Sequence, residues 1–193
     1  MTQLAFQPVY LCDGCCIIRL DGKDRMPPAP PDFTPQERAL IWDGLERLTG
    51  AGRLKLISQV KEELSRWHPE GLKRLVPYPG HRVNLPRSPA NILLWRQVVS
   101  RYPDIGPRPG KDPADPWLIV AAQKFRYPIV TMELALSERS PRANKKLRIP
   151  DICALEGMPL PMNLRQLAVV EGWLPQPTPG PPRILDAKET SSS

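Results

Sequence analysis

The chain has 193 residues, of which 41% are hydrophobic and 24% charged, so it can build a sizeable core and is not a wholly disordered chain. Its 26 prolines and 12 glycines follow no period, which excludes collagen and predicts long loops or a tail. The formal net charge is +7, a sign that suits polyanionic partners.

The first predicted element is a short buried strand over residues 9–12, which Asp13 interrupts. Cys12, Cys15 and Cys16 crowd the same apolar run. Cys12 and Cys15 have C-x-x-C spacing, but no second pair of ligands follows at the distance typical of a zinc site. We therefore predict a buried strand of small, reduced thiols, which fits a cytosolic protein.

A helix that begins after Thr34 is the strongest local prediction. The sequence TPQE offers a cap, a proline suited to the first helical position and a glutamate that completes a capping box. Apolar residues then recur at helical spacing until glycines near residue 50 end the pattern. Residues 54–57 predict a brief strand, and a second helix follows from residue 58. The apolar face of this second helix is predicted to carry Val60, Leu64 and Trp67.

Helices and strands also alternate in the second half of the chain. Residues 69–90 look irregular, and the ordered segments beyond them are predicted as follows: helices over 91–102, 117–125 and 163–171, and strands over 127–131 and 148–153. This alternation favours an α/β fold with a central parallel sheet flanked by helices. We predict one domain over residues 1–173 and a disordered, Pro- and Ser-rich tail over residues 174–193.

Location and surface charge give further expectations. The N-terminus lacks the basic and apolar segments of a signal peptide, and no run reaches the roughly 20 apolar residues of a membrane span, so we expect a soluble cytoplasmic protein. Residues 52–111 hold twelve Lys or Arg against four acids, and residues 139–148 hold five basic residues and no acid. Either stretch could be a solvated surface or a site for a nucleic-acid backbone.

Four carboxylates stand at informative positions. Asp13 follows the first strand, Glu63 lies early in the helix from residue 58, Asp115 precedes an apolar helix, and Glu133 follows the strand over residues 127–131. Ligands of open α/β sheets gather at the carboxyl ends of the strands. Carboxylates that converge there repel one another unless a divalent cation neutralises them, and oxygen ligands select Mg²⁺ or Mn²⁺.

Each acid also has an ordinary structural explanation. Asp115 before a proline is a good helix N-cap, Glu63 could pair with Arg66 on the surface, and Glu133 could lie in a loop. Asp13 is harder to explain in this way, because an acid inside the apolar run YLCDGCCII needs a partner. Both interpretations stay open on spacing alone.

The segments that carry these acids resemble the motifs of PIN-domain nucleases. YLCDGCCII resembles the opening strand with its aspartate, ISQVKEEL the second acidic motif, KDPADPWLIVAAQ the third, and YPIVTMEL the fourth. The ADPWLI segment, followed by KKLRIPDIC and MNL, is most similar to an uncharacterised bacterial branch of PIN-like proteins. The resemblance spans roughly residues 9–171.

The resemblance implies a PIN-like three-layer fold and a metal-dependent endoribonuclease. Asp13, Glu63, Asp115 and Glu133 match the catalytic, metal-binding acids of the family, and Asp112 is a further candidate beside Asp115. The implied cofactor is Mg²⁺ or Mn²⁺, and the implied partners are RNA, an antitoxin protein or a second copy of the chain. Many members of the family are toxins of toxin–antitoxin pairs.

One departure from the family pattern bears on activity. Gly14 and Cys15 stand where Thr and Asn or Ser are usual, and a thiol is a weak hydrogen-bonding group. This departure keeps an alternative open, namely a catalytically degenerate PIN-like module that binds RNA or a partner protein without cleaving it.

The remaining candidate residues are basic. Lys145, Lys146 and Arg148 could grip phosphates or form a solvated face. His68 and His81 are the only histidines, and both are predicted to lie at the surface or in turns.

Overall fold

A short parallel sheet forms the centre of the computed structural model, which describes residues 7–21, 32–107, 113–140 and 145–176. Strand β1 (Tyr10–Cys12) lies between β2 (Leu54–Lys55) and β3 (Ile129–Val130), and both pairings are parallel. Tyr10 is in register with Leu54, and Leu11 with Ile129. All three β1 residues are buried, as expected for a strand covered on both faces.

Single bridges extend this sheet at both edges. Leu56 pairs with Arg82 beyond β2, and Val130 pairs with Met162 beyond β3, both in the parallel sense. The outer segments therefore cover the edges of β2 and β3 with backbone hydrogen bonds, which protects the sheet from pairing with other chains.

Helices surround the sheet. In the described part of the chain they are α1 (Gly14–Leu20), α2 (Pro35–Gly50), α3 (Ser58–Trp67), α4 (Pro69–Leu75), α5 (Pro89–Arg101), α6 (Asp115–Phe125), α7 (Ile149–Leu155) and α8 (Leu164–Val170). This architecture confirms the predicted α/β fold with a central parallel sheet flanked by helices. None of the described helices has the length and apolar character needed to cross a bilayer.

Two predicted helix starts are confirmed by their caps. At α2, the Glu37 amide donates to Thr34 Oγ1 over 3.2 Å, and the Thr34 amide donates to Glu37 Oε2 over 2.8 Å. At α8, the Gln166 amide donates to Asn163 Oδ1 over 2.9 Å. These side chains satisfy amides that a helix leaves unpaired in its first turn.

Cys12 lies in β1 as predicted, but the segment after Asp13 is a helix, so the predicted strand of thiols is wrong for Cys15 and Cys16. The Asp13 carboxylate caps α1, where its Oδ1 accepts from the Cys15 amide over 3.4 Å. Cys16, Ile17 and Leu20 are buried on this helix at helical spacing. The run CCIIRL thus follows the period of a helix, although its residue types are typical of a strand.

Several other local predictions are also wrong. Residues 148–153 were expected to form a strand, but Pro150 and Asp151 lie in the first turn of α7, where Asp151 Oδ2 accepts from the Arg148 amide over 2.9 Å. Residues 69–75, predicted to be irregular, form α4, in which the fixed φ of Pro69 suits the first helical position. Trp67 is 59% exposed and contributes little to the core.

Both histidines are buried, which corrects the surface prediction. His68 is 1% exposed, and its Nε2 lies 2.6 Å from Asp21 Oδ2. His81 is 2% exposed, and its ring nitrogen contacts the Tyr78 carbonyl. The His81 ring thus contacts a backbone oxygen three residues away, and the His68 ring lies within ion-pair distance of a carboxylate.

The C-terminal boundary lies close to the end of the described residues. Leu174 is buried, and its amide donates to the Ala168 carbonyl over 3.1 Å. The larger part of the predicted tail, residues 177–193, lies outside the described residues.

Replacing Gly80 by Ala is expected to destabilise the fold by roughly 1–3 kcal/mol, because the added methyl would overpack a contact between two backbone segments. A Cβ at Gly80 would lie 2.7 Å from Gly52 Cα and 2.9 Å from the Thr49 carbonyl oxygen, neither of which can turn away. Urea unfolding measures the loss. Gly50→Ala is the control, because its nearest neighbour would be a Tyr78 ring carbon at 3.3 Å, and it should cost clearly less.

Candidate functional site

Asp13 occupies the end of the central strand and is only 5% exposed. Its Oδ2 accepts a 2.7 Å hydrogen bond from Thr131 Oγ1, just beyond β3, and a 2.8 Å hydrogen bond from Cys15 Sγ in α1. The β1 and β3 strands are parallel neighbours, so the residues that follow them meet at one edge of the sheet. Asp13 is therefore fixed from two sides, and the burial of a carboxylate is compensated.

Glu133 is connected to Asp13 through Thr131. The Glu133 amide donates to Thr131 Oγ1 over 3.1 Å, so a single hydroxyl bonds to both acidic segments. The Glu133 carboxylate accepts from the Ile149 amide over 3.1 Å, and its Oε1 lies 3.9 Å from Arg148 Nη1. The start of α7 thus positions the fourth predicted acid.

Glu63 links α3 to the start of α6. Its Oε1 accepts from the Ala114 amide over 3.0 Å, and its Oε2 would be 3.8 Å from a Cβ on Gly14. The side chain is half-buried at the junction of β1 and α1. The interpretation of Glu63 as a surface residue is therefore not what the structure shows.

Asp115 is the first residue of α6, where Ala114 and not Asp115 is the N-cap. The structure gives its carboxylate no hydrogen-bond donor among the described residues. Burial raises the pKa of Asp115 well above its usual range, and the negative charges of Asp13, Glu133 and Glu63 raise it further. The other three predicted acids therefore lie close enough to act on Asp115, although they come from segments far apart in the chain.

The same forces act on Glu133. Burial raises the pKa of Glu133, and the charge of Asp13 adds to the effect, while the Ile149 amide and the Arg148 guanidinium oppose it. Two carboxylates with raised pKa values thus lie at one sheet edge, and the charge of Asp13 acts on both of them. Groups with perturbed pKa values are concentrated at functional sites.

The donor chemistry of this cluster fits a hard divalent cation. The four acids offer only carboxylate oxygens, the ligands that Mg²⁺ and Mn²⁺ prefer, and Asp115 has lone pairs that no described donor uses. Among the described residues, no three His, Cys, Asp or Glu side chains already stand together as a finished metal site. The cluster fits a divalent cation because its donors are all carboxylate oxygens and converge on one region. A bound cation would have to draw these side chains closer together.

Two residues of the cluster were missed by sequence reasoning or undervalued by it. Thr131 is 2% exposed. The sequence feature that could have identified it is a hydroxyl residue at a strand end, two residues before an acid. Cys15, which the sequence analysis did not include among the site residues, contacts both Asp13 and Thr131. A hydrogen bond with Cys16 lowers the pKa of the Cys15 thiol, but burial and the charge of Asp13 outweigh it, so the net pKa is raised and the thiol remains a donor.

The predicted basic residues lie at different distances from the cluster. Arg148 is close enough to lower the pKa of both Asp115 and Glu133. Lys145 and Lys146 are exposed on the segment that precedes α7. Asp112, the weaker acidic candidate, lies outside the described residues.

Comparison of the chain with curated proteins and with solved structures yields no match. A family model described as "Domain of unknown function (DUF4411)" matches residues 29–169. The matched span contains Glu63, Asp115 and Glu133, and it begins after β1 and Asp13. Because this span is well over half of the sequence, the chain belongs to the DUF4411 family.

Proposed function

We propose that this protein is a metal-dependent ribonuclease of the PIN type and the toxin of a toxin–antitoxin pair. The observation that supports the proposal most directly is the electrostatic state of Asp115. Burial together with three neighbouring carboxylates raises its pKa, and the structure gives it no hydrogen-bond donor among the described residues. A buried carboxylate beside other negative charges destabilises the folded protein unless a bound cation neutralises it.

In this proposal Asp13, Glu63, Asp115 and Glu133 hold Mg²⁺ or Mn²⁺. When bound, the ion supplies an activated water and offsets the negative charge that develops on the phosphate. Thr131 and Cys15 hold Asp13 in place, and the Ile149 amide holds Glu133. These contacts fix the orientation of Asp13 and Glu133, so less rearrangement is needed when a cation binds.

RNA is the proposed substrate, because the chain is basic overall and a positive side chain borders the acids. Arg148 lies 3.9 Å from Glu133 Oε1 and is 44% exposed, so part of its guanidinium can face a phosphate. Lys145 and Lys146 extend the positive charge along the surface before α7. Phosphate contacts of this type position a strand without reading its bases.

The alternative function is a degenerate PIN-like module that binds RNA or a partner protein without cleavage. One contact favours it. The Cys15 thiol donates to Asp13 Oδ2, which already accepts from Thr131, so two donors occupy the oxygen that a metal ion would need. A cation would have to use Asp13 Oδ1 or displace one of these donors.

We propose an antitoxin protein or a second copy of the chain as the protein partner, and the cytoplasm as the location. A neighbouring reading frame that encodes a small DNA-binding protein would support the antitoxin assignment. Its absence would leave the nuclease proposal unchanged and count against the toxin role.

Purified protein is expected to cleave single-stranded RNA in Mn²⁺ or Mg²⁺ and to stop when EDTA is added. The reason is that the clustered carboxylates repel one another until a cation neutralises them. Gel analysis of a labelled RNA measures the cleavage. Glu62→Gln is the control variant and should cleave RNA as the wild type does, because Glu62 is exposed and lies next to Glu63 without being one of the four clustered acids. Tight RNA binding without cleavage in either ion would favour the degenerate module.

A further inference from the structure

Two neighbouring cavities share lining residues at Glu133, one of the four acids, and together they form a groove. The smaller one has a volume of about 190 Å³ and is lined by Cys15, Ile18, Arg19, Met132, Glu133 and Arg148. The larger one, of about 350 Å³, shares Arg19, Met132 and Glu133 with it and also reaches Thr131 and Arg165. The groove therefore lies beside Glu133 itself and beside Cys15 and Thr131, which donate hydrogen bonds to Asp13.

Two arginines border the smaller cavity from different elements. Arg19 projects from the last turn of α1, and Arg148 precedes α7. Their side chains are 38% and 44% exposed, so each guanidinium keeps part of its surface toward solvent. The ion pair of Arg148 with Glu133 is long, at 3.9 Å. A long, half-exposed pair of this kind contributes little binding energy.

The other arginines near the groove are firmly engaged. Arg165 donates to Glu37 Oε1 over 2.7 Å and to the Asp32 carbonyl over 3.0 Å. Arg139 is nearly buried, and it contacts Asp151 over 2.5 Å and the Lys146 carbonyl over 2.7 Å. Arg19 and Arg148 are the two basic residues that line the smaller cavity beside Glu133. Lys145 and Lys146 are not among the residues that line either cavity.

We propose that Arg19 and Arg148 form a phosphate clamp, a subsite that holds a backbone phosphate of single-stranded RNA next to the acid cluster. The inference rests on the proposed function for the identity of the strand, and it adds Arg19 as a binding residue. Two guanidinium groups and one carboxylate line the smaller cavity, so its lining carries an excess of positive charge. RNA is favoured over an acidic peptide because the cavity borders Glu133, one of the acids at which a phosphodiester would react in the proposed function.

The clamp is tested by RNA binding in EDTA, where cleavage cannot contribute. Fluorescence anisotropy of a labelled single-stranded RNA at increasing KCl gives the salt dependence of the affinity. Arg19→Gln and Arg148→Gln should each reduce the slope of log affinity against log salt by about 0.7, because each removes one phosphate contact. Arg47→Gln, on the exposed side of α2, is the charge-matched control and should leave the slope unchanged.

The outcomes separate the clamp from the nuclease. Equal slopes for Arg19→Gln, Arg148→Gln and Arg47→Gln would overturn the clamp. Displacement of RNA by polyglutamate at similar concentration would overturn the choice of RNA as the ligand. Reduced slopes in a protein that never cleaves RNA would support the clamp while refuting the nuclease. Arg19→Lys keeps the charge and should restore the slope, which excludes a folding defect as the cause.

Discussion

Replacing Asp115 by Asn is expected to abolish metal-dependent RNA cleavage and, in the same protein, to increase stability. Cleavage should fall at least about 100-fold, because a preorganised charge in the site is lost. Asn is nearly the same shape, so the loss would report charge and not packing. Comparison with wild-type protein purified in the same way also removes the contribution of contaminating nucleases. Activity that survives the substitution would remove Asp115 from the mechanism.

The stability effect has the opposite sign because the folded protein holds the proton of Asp115 more tightly than the unfolded chain does. Where the pKa is raised on folding, the folded state binds more protons between the unfolded and the folded pKa, so stability falls as pH rises through that interval. The ionised Asp115 therefore destabilises the cation-free protein at neutral and alkaline pH. The amide introduced by Asp115→Asn carries no charge, and a gain of about 1 kcal/mol is expected.

Thermal unfolding in EDTA checks this expectation. The variant should melt about 2–4 °C above the wild type at pH 8, and the difference should shrink as the pH is lowered and wild-type Asp115 takes up its proton. Glu62→Gln, at an exposed carboxylate, should show neither the gain nor its pH dependence. A melting temperature below that of the wild type at pH 8 would contradict the electrostatic description of the cluster.

The fold was predictable where local chemistry decides the structure. Thr34 and Asn163 start helices because their side chains cap free amides, and neither cap depends on distant residues. The positions of β1, β2 and β3 in the sequence could also be predicted, because the apolar run of each strand ends at residues typical of turns. The runs around Cys16 and Ile152 were misread because apolar, β-branched residues form strands or buried helices according to what they pack against.

The acidic residues of the candidate site could be predicted from the sequence, but the residues that hydrogen-bond to them could not. Asp13 stood out because an acid in an apolar run needs a partner, but the sequence did not identify that partner. Thr131 supplies it from 118 positions away, and the Ala114 amide does the same for Glu63. The Asp13–Thr131 contact depends on the parallel pairing of β1 and β3, and the Glu63 contact on the approach of α3 to the start of α6. No local pattern encodes such tertiary contacts, and the burial of His68 against Asp21 also escaped prediction because it is one of them.

Replacing Thr131 by Val is expected to reduce both stability and cleavage, because one hydroxyl joins two of the acidic segments. Thr131 Oγ1 donates to Asp13 Oδ2 over 2.7 Å and accepts from the Glu133 amide over 3.1 Å. Valine has nearly the same shape, so the change removes the hydrogen bonds and leaves packing intact. A bond to a charged acceptor contributes about 2 kcal/mol, and its loss leaves the buried Asp13 with one donor fewer.

Cleavage should fall roughly 10- to 100-fold in Thr131→Val, the usual effect of removing a group that orients a metal ligand. Thr49→Val is a matched control, since Thr49 is also buried but donates to the uncharged Leu45 carbonyl within α2, at 2.6 Å. That control should lose about 1 kcal/mol of stability and keep its cleavage rate. Thr131→Ser retains the hydroxyl and should recover activity. Full cleavage by Thr131→Val would show that Asp13 does not need this hydroxyl to act.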